Sequence, residues 1–300
     1  MTKVIVTGGA GFIGSHLADA LIERGFKVII IDNLSGGSKE NINSKAEFHQ
    51  LDLRNLEAIK PLFPGVDFVF HLAAKPRIPL SIQDPISANE NNLNTTLNVL
   101  VAARDAGVKK VAYSSSSSVY GCQDVLPQRE DMIPKPLNPY ALQKYVGELY
   151  CRIFSDLYGL QTVSVRYFNV FGPRAPQEGA YATVVGIFLR KKENGEPLTI
   201  TGDGTQKRDF TYVSDVVEGT ILAALKPTIG GEVINLGAGR NYSINQLAQM
   251  IGGVTVNVPP RPGEIMESLA DPSKANRLLG WKPKYNLETG IEEMKEKHGY

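Results

Sequence analysis

Along the first half of the chain, short apolar runs rich in β-branched residues alternate with segments whose apolar residues recur at three- and four-residue spacing. A run with no polar alternation suits a strand buried on both faces, and the second spacing suits a helix laid across it. The predicted strands are KVIVT (3–7), KVIIID (27–32), AEFHQ (46–50), VDFVFHL (66–72), VKKVAYSS (108–115) and TVSVRYF (162–168). Helices are predicted at 12–24, 89–106 and 140–158. Such alternation predicts an α/β fold, a doubly wound parallel sheet of the Rossmann type with six strands.

From Gly172 the rhythm breaks into turn formers and shorter strands, TIT (199–201), FTYV (210–213) and EVINL (232–236). Helices are predicted at 214–225, 244–251, 272–279 and 287–297, with Ser243, Asp271 and Asn286 as amino-terminal caps. The pattern predicts a larger unit over 1–171 and a smaller α/β lobe over 172–300. The serine run Ser114 to Ser118 is the one low-complexity stretch.

Composition narrows the function. Of the 300 residues 42% are apolar and 21% charged, with 29 Gly and 18 Pro, an ordinary globular balance. Lys plus Arg number 32 against 31 Asp plus Glu, a net +1, so no global field draws nucleic acid or an anionic membrane, and neither is expected as a partner. No apolar run approaches a membrane span and the amino terminus lacks the pattern of a secretion signal, which points to a soluble, cytoplasmic protein. Cys122 and Cys151 read as free thiols. His16, His49, His71 and His298 lack ligand spacing, so no metal is expected.

After the first strand comes TGGAGFIGSH (7–16), with Gly8, Gly11 and Gly14 where strand turns into helix. The first permits a tight turn, the second lets a pyrophosphate approach backbone N–H groups, and the third lets helix and strand pack closely. Asp32 ends the second strand, near the spacing at which a carboxylate meets adenosine ribose hydroxyls. Asn33 and Leu34 follow, with no Arg to neutralise a 2′-phosphate, so NAD is favoured over NADP.

Tyr140 and Lys144 lie four apart on one predicted helix face. An ammonium beside a phenol favours the phenolate, so the pair predicts a tyrosine acidified enough to exchange protons near neutral pH. The serine run sits at the carboxyl edge of the fifth strand, where doubly wound sheets bind ligands.

Together TGGAGFIG, Asp32-Asn33-Leu34, HLAA (71–74), SSSSSVYG (114–121), YALQK (140–144), RYFNVFGPR (166–174), GDGTQKRDFTYV (202–213) and the Arg261 segment resemble the extended short-chain dehydrogenase/reductase family and, within it, the UDP-hexose 4-epimerases. The resemblance implies that Tyr140 is the catalytic acid/base, that Lys144 tunes it and holds the nicotinamide ribose, and that Ser116 bonds the sugar 4-hydroxyl. It places Phe12, Ile13, Asn33, Asp52, Leu53, Ala73, Ala74, Asn91 and Phe168 around NAD. It puts Asn169, Arg208 and Arg261 on the UDP pyrophosphate, Thr199 by the uridine, and Ser117 and Val184 against the substrate.

The implied reaction is 4-epimerisation through a transient 4-keto sugar. Related dehydratases and decarboxylases carry an acidic residue two after the catalytic hydroxyl, where this chain has Ser118, and a serine supplies neither the acid nor the base that elimination needs. By the resemblance Ser268 lies at the carbon 2 substituent, where a small residue admits 2-acetamido sugars. GAYA (179–182) resembles the UDP-N-acetylglucosamine 4-epimerase branch, although Gly186 stands where that branch usually has Pro. The expected substrates are UDP-GlcNAc/UDP-GalNAc, with UDP-Glc/UDP-Gal also turned over. UDP-glucuronate is an alternative, its carboxylate held by Arg77, Arg174 or serine hydroxyls, and a silent NAD-binding regulator a further one. A homodimer is expected through the helices bearing Leu93, Leu97, Leu100, Tyr145, Leu149 and Ile153.

Overall fold

The computed structural model describes residues 1–179, 182–260 and 265–298. Its main sheet has seven strands, all parallel, in the order Glu232–Leu236, Gln161–Tyr167, Lys110–Ser116, Phe68–His71, Lys3–Thr7, Lys27–Asp32, Glu47–Gln50. All six strands expected from the sequence are there; the inner ones are apolar runs covered on both faces, while Glu47–Gln50, EFHQ, is a half-exposed edge strand. EVINL is the correction. It does not sit in the lobe but pairs with Gln161–Tyr167 as the seventh strand, Ile234 beside Val165.

Two apolar layers sandwich the sheet. On one face Val4, Val6, Ile30 and Val165 meet the helices Phe12–Glu23 and Val213–Leu225. On the other, Ile5, Ile29, Val69 and Val111 meet Thr95–Asp105 and Pro139–Tyr158. The helix expected over 89–106 is interrupted by a π-helical turn, Glu90–Asn94, between Pro85–Asn89 and Thr95–Asp105. Asn92 accounts for the irregularity, since its side chain bonds outward, accepting from Lys75 N–H at 2.7 Å and donating to Gln143 Oε1 at 2.7 Å.

A third apolar cluster, with Phe188, Leu189, Leu198, Ile200, Leu247 and Ile291, builds the smaller lobe. It contains the helix Val184–Glu193 and the strands Lys207–Asp209, Asn241–Ser243 and Thr255–Val258, none of which the sequence pattern predicted. Thr211–Tyr212 keeps only a two-residue ladder with Val170–Phe171. Ser243 caps Ile244–Ile251 in a reciprocal capping box, and Asn286 Oδ1 accepts Thr289 N–H at 2.8 Å at the start of Leu287–His298. For Ser273–Leu279 the cap is Pro272 rather than Asp271, although Asp271 Oδ1 accepts Ser273 N–H at 2.8 Å. Cys122 is exposed, Cys151 is buried, and both are free.

Candidate active site

The carboxyl ends of the sheet strands and the lobe enclose one cavity of about 1360 Å3, above the roughly 300–1,000 Å3 usual for a single small ligand. One end is the glycine loop. Gly8 has φ +72° and its backbone lies so near the Leu72–Ala73 peptide that an added Cβ would stand 2.7 Å from Ala73 N. A Cβ at Gly14 would lie 2.1 Å from Gly8 O, so the loop folds onto its own helix only without side chains. At the N-cap, Gly11 offers no side-chain cap, and the first-turn amides of Phe12–Glu23 open on the cavity with no acidic residue among them.

Asp32 is buried beside that loop. Its Oδ2 accepts Ala10 N–H at 3.0 Å and its Oδ1 accepts Leu34 N–H at 2.8 Å, which fixes the carboxylate at the cavity wall. Asn33, Ser35, Gly36, Gly37, Asp52 and Leu53 complete this end. Arg54 grips Asp52 through Nε and Nη2, at 3.1 and 2.7 Å, and its hydrogen bonds pull the carboxyl down to about 2.

Midway, the helix Pro139–Tyr158 delivers Tyr140 and Lys144. Asn138 caps it, its Oδ1 accepting Ala141 N–H at 2.9 Å, and Tyr140 N–H donates to Ser81 Oγ at 3.2 Å. Lys144 Nζ donates to Ser114 O at 2.6 Å and lies 4.9 Å from the centre of the Tyr113 ring. Ser116 ends its strand facing Tyr140, and its Oγ accepts both Ser118 N–H at 3.2 Å and Ser118 Oγ–H at 2.9 Å.

The electrostatics overturn one expectation. Burial pushes the Tyr140 phenol up to about 12, against the opposing pull of its Ser116 hydrogen bond and the Arg77 charge. Burial likewise drives the Lys144 amine down to about 7, with the Cys151 and Glu148 charges opposing it. Spacing alone suggests an acidified phenol, yet in the folded chain both groups are desolvated, and desolvation disfavours the charged form of each.

Beneath them lies a pair that the sequence reading missed. Glu148, one turn beyond Lys144, takes Arg166 Nε at 2.8 Å and Nη2 at 2.7 Å and also accepts Ser115 Oγ–H. Both ion-pair side chains are 3% exposed, and the Arg166 guanidinium lies 4.5 Å from the centre of the Tyr120 ring. The signal was available in the third step of Tyr140, Lys144, Glu148 along one helix face.

The far end of the cavity is lined by Asn169, from the chain leaving the sheet, and from the lobe by Val184, Thr199, Arg208 and Ser268. Asn169 takes a φ of +23° and donates from Nδ2 to Asp209 O at 3.1 Å. Asp209 itself is buried and accepts backbone N–H from Ala238, Gly239 and Ala270 at 2.8–3.0 Å, tying the end of its strand to two other segments. Lys191 Nζ donates to Thr199 Oγ1, and Arg208 Nη1 donates to Lys207 O at 2.9 Å. Among the described residues no group of three or more His, Cys, Asp or Glu is placed to hold a metal.

Residues 4–237 match the model of the NAD dependent epimerase/dehydratase family. The chain is 39% identical to the crystallised UDP-glucose 4-epimerase of Thermotoga maritima, solved with UDP-glucose, with a TM-score of 0.94 covering 99% of this chain and 100% of that one. It belongs to that family. A UDP-N-acetylglucosamine 4-epimerase from Methanobrevibacter ruminantium, in complex with UDP-N-acetylmuramic acid, is 38% identical with a TM-score of 0.91, covering 99% of each chain. The UDP-glucuronate 4-epimerase of Thermodesulfobacterium geofontis is 37% identical over 97% of this chain and 94% of its own. The protein is thus an NAD-dependent enzyme of the UDP-hexose 4-epimerase group.

The epimerase's own residues fit NAD. The uncapped helix start offers amides suited to a pyrophosphate, Asp32 keeps lone pairs suited to a ribose diol, and no Lys or Arg among the described residues lines the wall beside it to take a 2′-phosphate. Gly11, Phe12, Ile13, Gly14, Asp32, Asn33, Asp52, Leu53, Ala73, Ala74, Asn91, Tyr140 and Lys144 all line the cavity. Gly8 is not in the lining: it packs behind it, against the Leu72–Ala73 peptide, where it lets the loop pass. Phe168 does not join them. It is fully buried with Val119, Tyr120 and Ala270, because the chain leaving the sheet turns that ring into the core and offers Asn169 to the cavity.

On the substrate side Ser116, Ser117, Asn169, Val184, Thr199, Arg208 and Ser268 meet at the cavity, and Arg261 lies outside the described residues, as do residues 180–181 of GAYA. Arg77 lines the cavity and bonds Ala182 O, whereas Arg174 pairs with Asp19 at 2.7 Å outside the lining. No helix among the described residues is long and apolar enough to cross a membrane.

Proposed function

We propose that the enzyme interconverts UDP-GlcNAc and UDP-GalNAc, and also accepts UDP-Glc and UDP-Gal. One observation carries the choice of sugar: Ser268 is a small side chain, 7% exposed, on the cavity wall, where its volume leaves room for an N-acetyl group. NAD, when bound, supplies the two-electron acceptor for the hydrogen on carbon 4 and a positive ring charge that favours the Tyr140 phenolate against its burial. In this reading Tyr140 takes the 4-hydroxyl proton and later returns it, while Ser116 bonds the same oxygen and holds it in line. Lys144, anchored on Ser114 O, orients the nicotinamide ribose. Asn169, Arg208 and Arg261 hold the diphosphate, guanidinium forks pairing with phosphate oxygens in fixed geometry. The flat 4-keto ring then turns over and receives its hydrogen on the other face.

The test is turnover of all four UDP-sugars. Activity on the acetamido pair is expected, with selective loss of it in Ser268→Tyr; inactivity on both acetamido sugars overturns the reading. Arg77 on the cavity wall favours a second reading, UDP-glucuronate, which the same panel tests if that sugar is added.

A further inference from the structure

Buried polar groups without a hydrogen-bond partner are uncommon in folded proteins, and each calls for an explanation. Five buried side-chain atoms have none among the described residues: Gln128 Oε1, Ser268 Oγ, Arg166 Nη1, Arg190 Nε and Tyr212 Oη. Gln128 and Ser268 are the two of these residues that line the cavity. They are also neighbours by construction. Gln128 N–H donates to Leu269 O at 2.7 Å and Asp271 N–H donates to Gln128 O at 2.9 Å, a parallel bridge that sets Gln128 beside Ala270. Ser268 lies two residues before Ala270, the step that returns an extended chain to the same face.

The backbone at Gln128 is pinned further by Asn235 Nδ2, which donates to Gln128 O at 2.9 Å, and Asn235 is itself held by the Tyr120 hydroxyl at 2.7 Å. A 2% exposed carboxamide is therefore fixed at the cavity wall with its amide oxygen unused.

We infer that Gln128 is a sugar-specificity residue, forming with Ser268 a polar wall that reads an acetamido group on the sugar ring. The inference rests on the function proposed above. An acetamido group carries one N–H donor and one C=O acceptor. Gln128 Oε1 supplies the acceptor and the Ser268 hydroxyl the donor, so the substituent satisfies both atoms at once. A plain 2-hydroxyl carries its donor and acceptor on one oxygen and serves both atoms only if they converge on that oxygen, whereas the acetamido N–H and C=O are spread over separate atoms. A carboxylate gains no countercharge from either. Sites built around buried hydrogen bonds discriminate strongly against ligands that leave those groups unpaired.

The experiment measures kcat/KM for UDP-GlcNAc and for UDP-Glc in the NAD-loaded parent and in Gln128→Met, which keeps the length and removes the amide. The UDP-GlcNAc to UDP-Glc ratio is expected to fall at least tenfold in Gln128→Met, chiefly through KM for UDP-GlcNAc. A ratio within twofold of the parent overturns the inference, whatever the absolute rates. Should Gln128→Met fail to fold, Gln128→Asn, which withdraws the amide by one carbon, is read against the same two thresholds, a fall or no change. A parent enzyme inactive on the acetamido sugars fails the proposed function, and the inference with it; a parent active on them with an unmoved ratio fails the inference alone.

Discussion

Burial of the Lys144 amine outweighs the Ser114 carbonyl and the Glu148 charge that favour its proton, and this gives it a pH signature. Its ordinary value is 10.5 and burial lowers it to about 7 in the fold. Between those values the unfolded chain carries a proton that the folded chain lacks, so stability rises with pH across the window and the full penalty applies below it. The slope from this one group is about 1.4 kcal/mol per pH unit. Urea unfolding at pH 7, 8 and 9 is expected to show it in the parent and to show it flattened in Lys144→Met. Tyr140→Phe is expected to lower kcat by about 100-fold or more with KM little changed, the usual scale for removing a general acid/base, as read in a UDP-sugar turnover assay. Full turnover in that variant would require another base. The spacing of Tyr140 and Lys144 was legible in the sequence because helix geometry fixes it. Their protonation was not, because four-residue spacing is the same on a wet helix face and on a buried one.

At the scale of elements, the helix Pro139–Tyr158 is anchored to its neighbouring strands by charge as well as by apolar packing. Glu148 pins it to Arg166 on one strand and to Ser115 on the next, and Ser114 and Ser116 beside that contact belong to the candidate site. Removing one partner of a buried pair strands the other charge, so Glu148→Ala is expected to cost about 3–5 kcal/mol in urea unfolding. A loss below about 1 kcal/mol would show that the pair does little to hold the helix. The inner strands of the main sheet were legible because they are apolar runs buried on both faces; the edge strand Glu47–Gln50, EFHQ, is mostly polar and was legible only from its place in the alternation. The lobe's Lys207–Asp209 and Thr255–Val258 were not, since KRD and TVNV are short and mixed in polarity and are held by a ladder whose partner lies far along the chain. Gln128 was invisible for a related reason: a single glutamine in a loop means nothing until the bridge to Ala270 turns it inward.

For the whole molecule, one outer surface stands out. Leu142, Leu149, Ile153 and Leu157 are exposed along the helix Pro139–Tyr158 at spacings of seven, four and four, an apolar stripe on its solvent side. Leu100, expected on the same surface, belongs instead to the core, and Tyr145 packs against Tyr120 and Phe168. We propose that the stripe is the contact of a homodimer. Light scattering is expected to give twice the 32.7 kDa of one chain, and Leu149→Asp combined with Ile153→Asp to give half that; a parent mass of one chain would end the idea.

The strand Glu232–Leu236 has an implication for engineering. After building part of the lobe, the polypeptide re-enters the main sheet before leaving it again, so the lobe is threaded through the scaffold as two separate lengths. A chimera cut once near residue 171 would strip the outermost strand from Gln161–Tyr167 and leave a row of unsatisfied peptide groups open to aggregation. Grafting a foreign sugar pocket onto this scaffold therefore calls for two exchanges, one on each side of that strand, with the strand itself left in place.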